Sequence, residues 1–387
     1  MNDNTQDTER QDNLRMLRES AQSFAAKESP LARARGLRGT PTGFDRSFWG
    51  KLAEQGWTGL LIPESADGYG QGFGEMAAVV AALAAQVSPE PVVPALVFAS
   101  RVIQHSGSGE LHNGLLAKIA AGELIPAVAW QEDVTGRIIN LGAANTAAQP
   151  DGDKIKLTGE KHHIRPGAGC DGFVVSAAGA GGELSLFWVP ANTPGVTASE
   201  VPLADGTSAA RVKFDNVTLD AGQRMAQGAA ALHAMTRAYD EALVMASVEL
   251  LALQRAMLAM TLEYLRTRKQ FGKPIGSFQS LQHRAVDLHI QQELTASVVN
   301  QALDLLDRDV PDAERSAMAS RVKARAADAG LLLARESVQL HGAIGFTDEY
   351  DLGLYVQRAL VLSAWLGNAQ TQRSRYAAIT RTIETNA

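Results

Sequence analysis

Cysteine is almost absent from this 387-residue chain. Cys170 stands alone, which excludes a disulfide framework and any cysteine-based metal cluster. Positive charge is not in surplus either: the formal net charge is -6, so an anionic ligand must be held by local basic clusters and nonspecific nucleic-acid binding is disfavoured. Long apolar runs are also scarce. The polar start, MNDNTQDTERQDN, has no apolar signal core, and the run from Met76 to Val87 stops at Ser88-Pro89-Glu90-Pro91, too short to cross a bilayer. These absences lead us to expect a soluble, cytoplasmic protein. What remains is ordinary globular composition, 45% apolar and 20% charged, in a chain long enough for a sizeable core.

The pattern along the chain changes twice. Up to residue 125, Ala-rich helical segments at Leu17 to Ala26, Phe48 to Gln55, Gly74 to Gln86 and Leu111 to Ala121 are separated by Pro and Gly breaks. Residues 126–225 carry short alternating runs at Ile125 to Trp130, Lys154 to Leu157, Gly172 to Ala177, Leu184 to Val189 and Ala210 to Phe214. With the hairpin signal Asp151-Gly152-Asp153, they predict an antiparallel β-domain or small barrel. Residues 226–387 return to helix in four long segments, His233 to Arg268, Leu281 to Asp307, Asp312 to His341 and Leu354 to the C-terminus, which predict a four-helix bundle. The expected class is therefore α+β in three domains.

The glycines of GWTGLLIPESADGYGQGFG suggest a dinucleotide loop only superficially. No βαβ unit with a later ribose-binding acid follows, so the stretch reads as a turn leading into the next helix. A more informative stretch is YLRTRKQFGKPIGSFQSLQHR. Arg266, Arg268, Lys269 and Lys273 surround Phe271-Gly272, and Pro274-Ile275-Gly276 interrupts the helical pattern. A basic elbow next to a new helix start offers guanidinium forks and free backbone N–H groups to a phosphate-bearing ligand, although most basic runs are simply solvated faces.

The elbow follows the pattern R-x-x-F-G-x-P-I-x-x-F-Q, and with GWTGLLIPE, LTGEKHHI, VKFDNVTLDA and QLHGAIGFTDEYD the chain resembles the acyl-CoA dehydrogenase family over nearly its whole length. The resemblance implies an FAD-dependent enzyme that desaturates an acyl-CoA thioester between its α and β carbons and passes electrons to an electron-transfer flavoprotein. It implies that Arg268, Phe271 and Gln279 contact the adenine and pyrophosphate side of FAD, and that Gln339, Gly342 and Gly345 line the same nucleotide from an adjacent subunit. Through GNAQTQR, it places Asn368 and Gln370 beside the cofactor.

Two departures accompany these matches. The family's T-E-P-x-x-G-S-D is Trp130 to Gly136 here, so Gln131 replaces the flavin-facing threonine, and the family's W-I-T-N-G is His163-Ile164-Arg165-Pro166-Gly167. The glutamate that most members place just before G-T-S-Q is Leu366, which cannot take a proton. Other members draw the base from the helix preceding the elbow, at the position of Ala242, beside Glu241. On the same apolar stretch Glu249 is a second candidate, because desolvation raises a carboxyl towards a base's working range; the plainer reading is an ion pair that fixes bundle register. These departures resemble a branch that includes pimeloyl-CoA dehydrogenase small subunits and steroid side-chain enzymes. They imply a homotetramer or an α2β2 heterotetramer, in which this chain is either a dehydrogenase subunit or a catalytically silent one. Oxidase or monooxygenase chemistry on the same fold is a further alternative.

Overall fold

The computed structural model describes residues 3–142 and 144–386. Helices α1 (Asp3–Glu28), α2 (Leu31–Leu37), α3 (Arg46–Glu54) and α4 (Phe73–Ala85) come first. A π-helical stretch (Val92–Ala99) then runs into α5 (Ser100–Ser106), followed by α6 (Glu110–Ala120). Strands β1 (Pro126–Ala129), β2 (Ala147–Asp151), β3 (Lys154–Ile164), β4 (Gly172–Ala178), β5 (Leu184–Pro190), β6 (Val196–Pro202), β7 (Ser208–Asp220) and β8 (Arg224–Gln227) form one sheet. The last third is α7 (Gly228–Thr267), a hairpin of β9 (Lys269–Gln270) and β10 (Lys273–Pro274), then α8 (Gln279–Leu306), α9 (Asp312–His341), α10 (Leu352–Ala364) and α11 (Ala369–Asn386). The order is α, then β, then α, as the change of period predicts.

Two compact units result. One comprises Met1–Gly36, Ala77–Ser88 and Leu243–Ala387; the other comprises Leu37–Met76 and Pro89–Ala242. Helix α7 contributes to both. By length and composition alone α7 could cross a membrane, yet 72% of its most apolar window is buried inside the protein, as expected of a core helix.

The sheet runs β6-β7-β3-β2-β4-β5-β8, with β1 parallel to β4 and the long pairings antiparallel. The β2–β3 turn is tight because Gly152 takes a positive φ of 66°, which glycine adopts without Cβ strain. Inward-facing Leu157, Phe173, Val175, Phe187, Val212 and Phe214 fill the core beneath it. The glycine-rich 56–74 stretch is indeed a turn: Gly70 N–H donates to the Ile62 carbonyl at 2.8 Å and Gln71 N–H to Leu60 at 2.7 Å before α4 begins. Any Cβ on Gly68 would lie 2.1 Å from the Ile62 carbonyl oxygen, so close backbone packing accounts for that glycine.

In the bundle, Leu250, Leu253, Met257, Leu288, Leu333 and Leu362 share one core. Each fully buried side chain of this size contributes about 1.5–3 kcal/mol relative to exposure. The fourth predicted helix divides in two. After Ala364 the chain turns at Leu366 and Gly367, with φ of 59° and 86°, and restarts at Ala369. The elbow also differs in detail from a simple helix-to-helix break. Phe271 and Gly272 both take positive φ, 53° and 79°, so the segment folds back as a two-stranded hairpin.

Candidate functional site

The hairpin emerges from the last turn of α7. Phe271 at its tip is 90% exposed and edge-on to Phe278, with ring centroids 6.1 Å apart, while the Lys273 ammonium lies 4.4 Å over the Phe278 ring. Ile275 N–H donates to the Arg268 carbonyl at 2.8 Å and closes the hairpin base. Gly276 lets the chain pass the Leu265 carbonyl, which a Cβ would meet at 2.8 Å. Arg268 and Gln279 are both exposed.

The end of α9 lies beside the root of this hairpin. His341 stacks on Tyr264 of α7 at 4.6 Å and tilts against Tyr350 at 5.2 Å, and its Nδ1 meets the Ser337 carbonyl at 2.7 Å. Burial pushes the imidazole below its usual pKa, so the neutral ring serves as a packing block. Gln339, two residues earlier, is exposed. Gly342 has φ 65° and nothing within 4 Å of where a Cβ would stand, whereas a Cβ on Gly345 would meet the Val338 carbonyl oxygen at 2.9 Å. Phe346 just beyond is 82% exposed. Thus the structure brings Arg268, Phe271, Gln339, Gly342 and Gly345 to neighbouring turns of one unit, through the Tyr264–His341 stack.

Asn368 and Gln370 sit at the α10–α11 turn. Asn368 caps α11, its Oδ1 accepting from Thr371 N–H at 3.0 Å, and Gln370 is exposed. Gln131 behaves differently. It is 6% exposed and its amide is engaged within its own loop, donating to the Ile138 carbonyl and accepting from Asp133 N–H, both at 3.0 Å. It lines a cavity of about 290 Å³ with Trp130, Glu132, Ile138 and Asn140. His163 braces the same loop, its Nε2 2.9 Å from the Val134 carbonyl.

Comparison with known proteins decides what this arrangement belongs to. Residues 11–123 match the acyl-CoA dehydrogenase N-terminal domain and residues 233–380 the C-terminal domain. The acyl-CoA dehydrogenase FadE27 of Mycobacterium tuberculosis is 30% identical over 86% of this chain and 87% of its own length. The chain belongs to the acyl-CoA dehydrogenase family. Among solved structures, a variant of the Tcur3481-Tcur3483 steroid ACAD superposes with TM-score 0.86 at 26% identity, covering 97% of this chain and 99% of that one. The ChsE4-ChsE5 complex of Mycobacterium tuberculosis gives TM-score 0.84 at 26% identity, covering 94% and 96%.

In this acyl-CoA dehydrogenase chain the two candidate carboxylates occupy unlike surroundings. Glu241 is 1% exposed, and its oxygens accept from Arg101 Nε at 2.8 Å and the other arm of that guanidinium at 3.0 Å, with His105 Nε2 at 3.0 Å. Arg237, one turn earlier, lies 3.5 Å away. Burial by itself would raise this carboxyl, but the Arg101 charge and the hydrogen bonds of His105 and Arg101 outweigh it and bring the pKa down to about 2. Glu249 is half-buried, with Arg358 of α10 at 3.9 Å, the cross-bundle cation that the register reading requires. Leu366, where most members carry glutamate, is 4% exposed.

Three side chains in fixed positions, Arg101, His105 and Lys161, are given no role by the reading of motifs. Arg101 and His105 come from α5, far from Glu241 in sequence, and nothing local announces them. Lys161 is fully buried, donating to Glu132 at 2.7 Å and Ser176 at 3.0 Å. Burial would raise Glu132, but Lys161 and the N–H groups of Asn145 and Thr146 hold it down at about 2. The inward alternation of β3 was the available signal for Lys161, since it falls in phase with Leu157.

Proposed function

We propose that this chain is the flavin-completing subunit of a two-chain, FAD-dependent acyl-CoA dehydrogenase, acting with a second chain of the same fold that supplies the base. The Glu241 clamp carries this reading. A general base works best with a pKa near the operating pH, and a carboxylate held at about 2 by a bidentate arginine and a histidine is both weakly basic and fully engaged. Leu366 offers no proton acceptor, and Glu249 faces Arg358.

The described residues fit a flavin dinucleotide. Two aromatic rings, Phe271 and Phe346, stand out from the surface, Arg268 offers a guanidinium to a pyrophosphate, and Gly342 leaves its backbone open to close approach. FAD, when bound, supplies the two-electron acceptor for α,β-dehydrogenation of the thioester. In this chain, the hairpin and the Gln339–Gly345 turn grip the nucleotide across a subunit boundary, while Asn368 and Gln370 border it from the α10–α11 turn. The likeness to the Tcur3481-Tcur3483 steroid ACAD and to the ChsE4-ChsE5 complex supports a bulky steroid-like acyl-CoA and a heteromeric assembly. Electron-transfer flavoprotein is the proposed acceptor.

The test is co-expression with a candidate partner chain, followed by a flavin spectrum and turnover on a panel of acyl-CoA thioesters. Converting Glu241 and Glu249 together to Gln should leave turnover per bound flavin unchanged. A collapse in turnover with flavin content intact would return the base to this chain.

A further inference from the structure

Helix α9 carries a lysine where the bundle interior offers it no countercharge. Lys323 is 0% exposed, and among the described residues its Nζ meets two backbone carbonyls, Ser363 and Gly367, each at 3.2 Å, and no carboxylate. Both carbonyls belong to the α10–α11 turn. Ser363 lies in the last turn of α10, whose terminal carbonyls have no partner within the helix and whose dipole presents negative charge. Gly367 follows Leu366, a bulky residue held in the left-handed region at φ 59°. The carbonyl between them, Leu366, is taken by Gln372 Nε2 at 2.6 Å, from a side chain that is itself 0% exposed. Three carbonyls of one five-residue turn are therefore drawn inward by two buried donors.

We propose that Lys323 is the positioning residue of this turn, acting through the backbone of Leu366 to Asn368 on the cofactor-flanking side chains Asn368 and Gln370. The proposal rests on the flavin reading given above for its functional half only. Burying an ammonium without a carboxylate is costly, and burial pushes this group down to about 7. An apolar residue at the same place would avoid that cost. What it could not do is satisfy the end of α10 and hold a non-glycine residue left-handed at the turn. Both the charged and the neutral amine have N–H groups to donate, so the clamp does not depend on protonation.

The test uses Lys323→Met, which keeps the length of the stem and removes the donor. Hydrogen exchange is followed on the full chain by mass spectrometry. Amides of residues 363–372 should exchange roughly tenfold faster than in the unsubstituted protein, while α7 and the rest of α9 keep their protection. In the assembled, flavin-loaded enzyme the dissociation constant for FAD should rise about fivefold or more. Lys323→Arg, which keeps the donors, should recover most of the protection. Unchanged exchange at 363–372 in Lys323→Met, or a rise spread evenly over the bundle, would overturn the clamp. Should Lys323→Met not fold, Lys323→Leu, which likewise lacks a donor, is read by the same two outcomes. If the turn loosens as expected but the unsubstituted complex binds no FAD, the flavin reading falls and the clamp stands.

Discussion

Along α7 the chain handles difficult groups in two ways. In its first half, Glu241 is almost wholly buried and is met inside its own unit by Arg101 and His105. Past its far end, Phe271 and Phe346 remain 90% and 82% exposed. A buried charge left unpaired would unfold the region, so its partners are built into the chain. Large exposed rings cost the isolated chain little, and what they gain comes from another molecule covering them. The first region therefore reads as stability and the second as recognition, although family resemblance alone assigns both to the site.

The largest expected effect breaks the first side of this comparison. Arg101→Ala leaves Glu241 buried with only His105 and the more distant Arg237, and should cost about 3–5 kcal/mol in urea unfolding. If the loss is under about 1 kcal/mol, the cluster is not a stability element. Acid should reveal the same clamp. Because the Glu241 pKa is lower in the folded state, its contribution is complete above the ordinary carboxyl value of 4.5 and disappears as pH falls from there towards 2. The effect is on the order of 3 kcal/mol, and Glu241→Gln should start less stable with a flatter acid limb.

The second side should respond in the opposite sense. Phe271→Ala should leave unfolding of the isolated chain within about 0.5 kcal/mol of the original, yet weaken FAD binding by the assembled enzyme about tenfold. Equal losses in both measurements would make the hairpin tip a folding element. The smallest effect is expected at Glu249. Its 3.9 Å approach to Arg358 is loose, so Glu249→Gln should cost about 1 kcal/mol or less and leave turnover per flavin unchanged.

Periodicity carried the architecture. Asp312–His341 appears as read, because Pro311 and Gly342 punctuate it on both sides. The single helix expected from Leu354 onward was the main misreading. Its break falls at Trp365-Leu366-Gly367-Asn368, where only glycine hinted at a stop and a buried lysine from another helix holds the turn. The elbow's hairpin escaped notice for a similar reason, since a phenylalanine in the left-handed region is not what turn chemistry leads one to expect. At Gln131 the identity was plain, but that its amide would be used up by Ile138 and Asp133 was not.

By itself the sequence determined the order of helical and β segments, the family, and the short motifs of the elbow and of the turn after α9, because these depend on local period and on residues adjacent in the chain. Only the tertiary structure decided what each charged group does. Glu241 became a poor base because Arg101 and His105 arrive from a helix more than a hundred residues earlier, and Lys323 became a backbone clamp because α10 ends beside it. A side chain's pKa and its available hydrogen bonds are set by whatever folding brings within a few ångströms, and that information lies between distant segments.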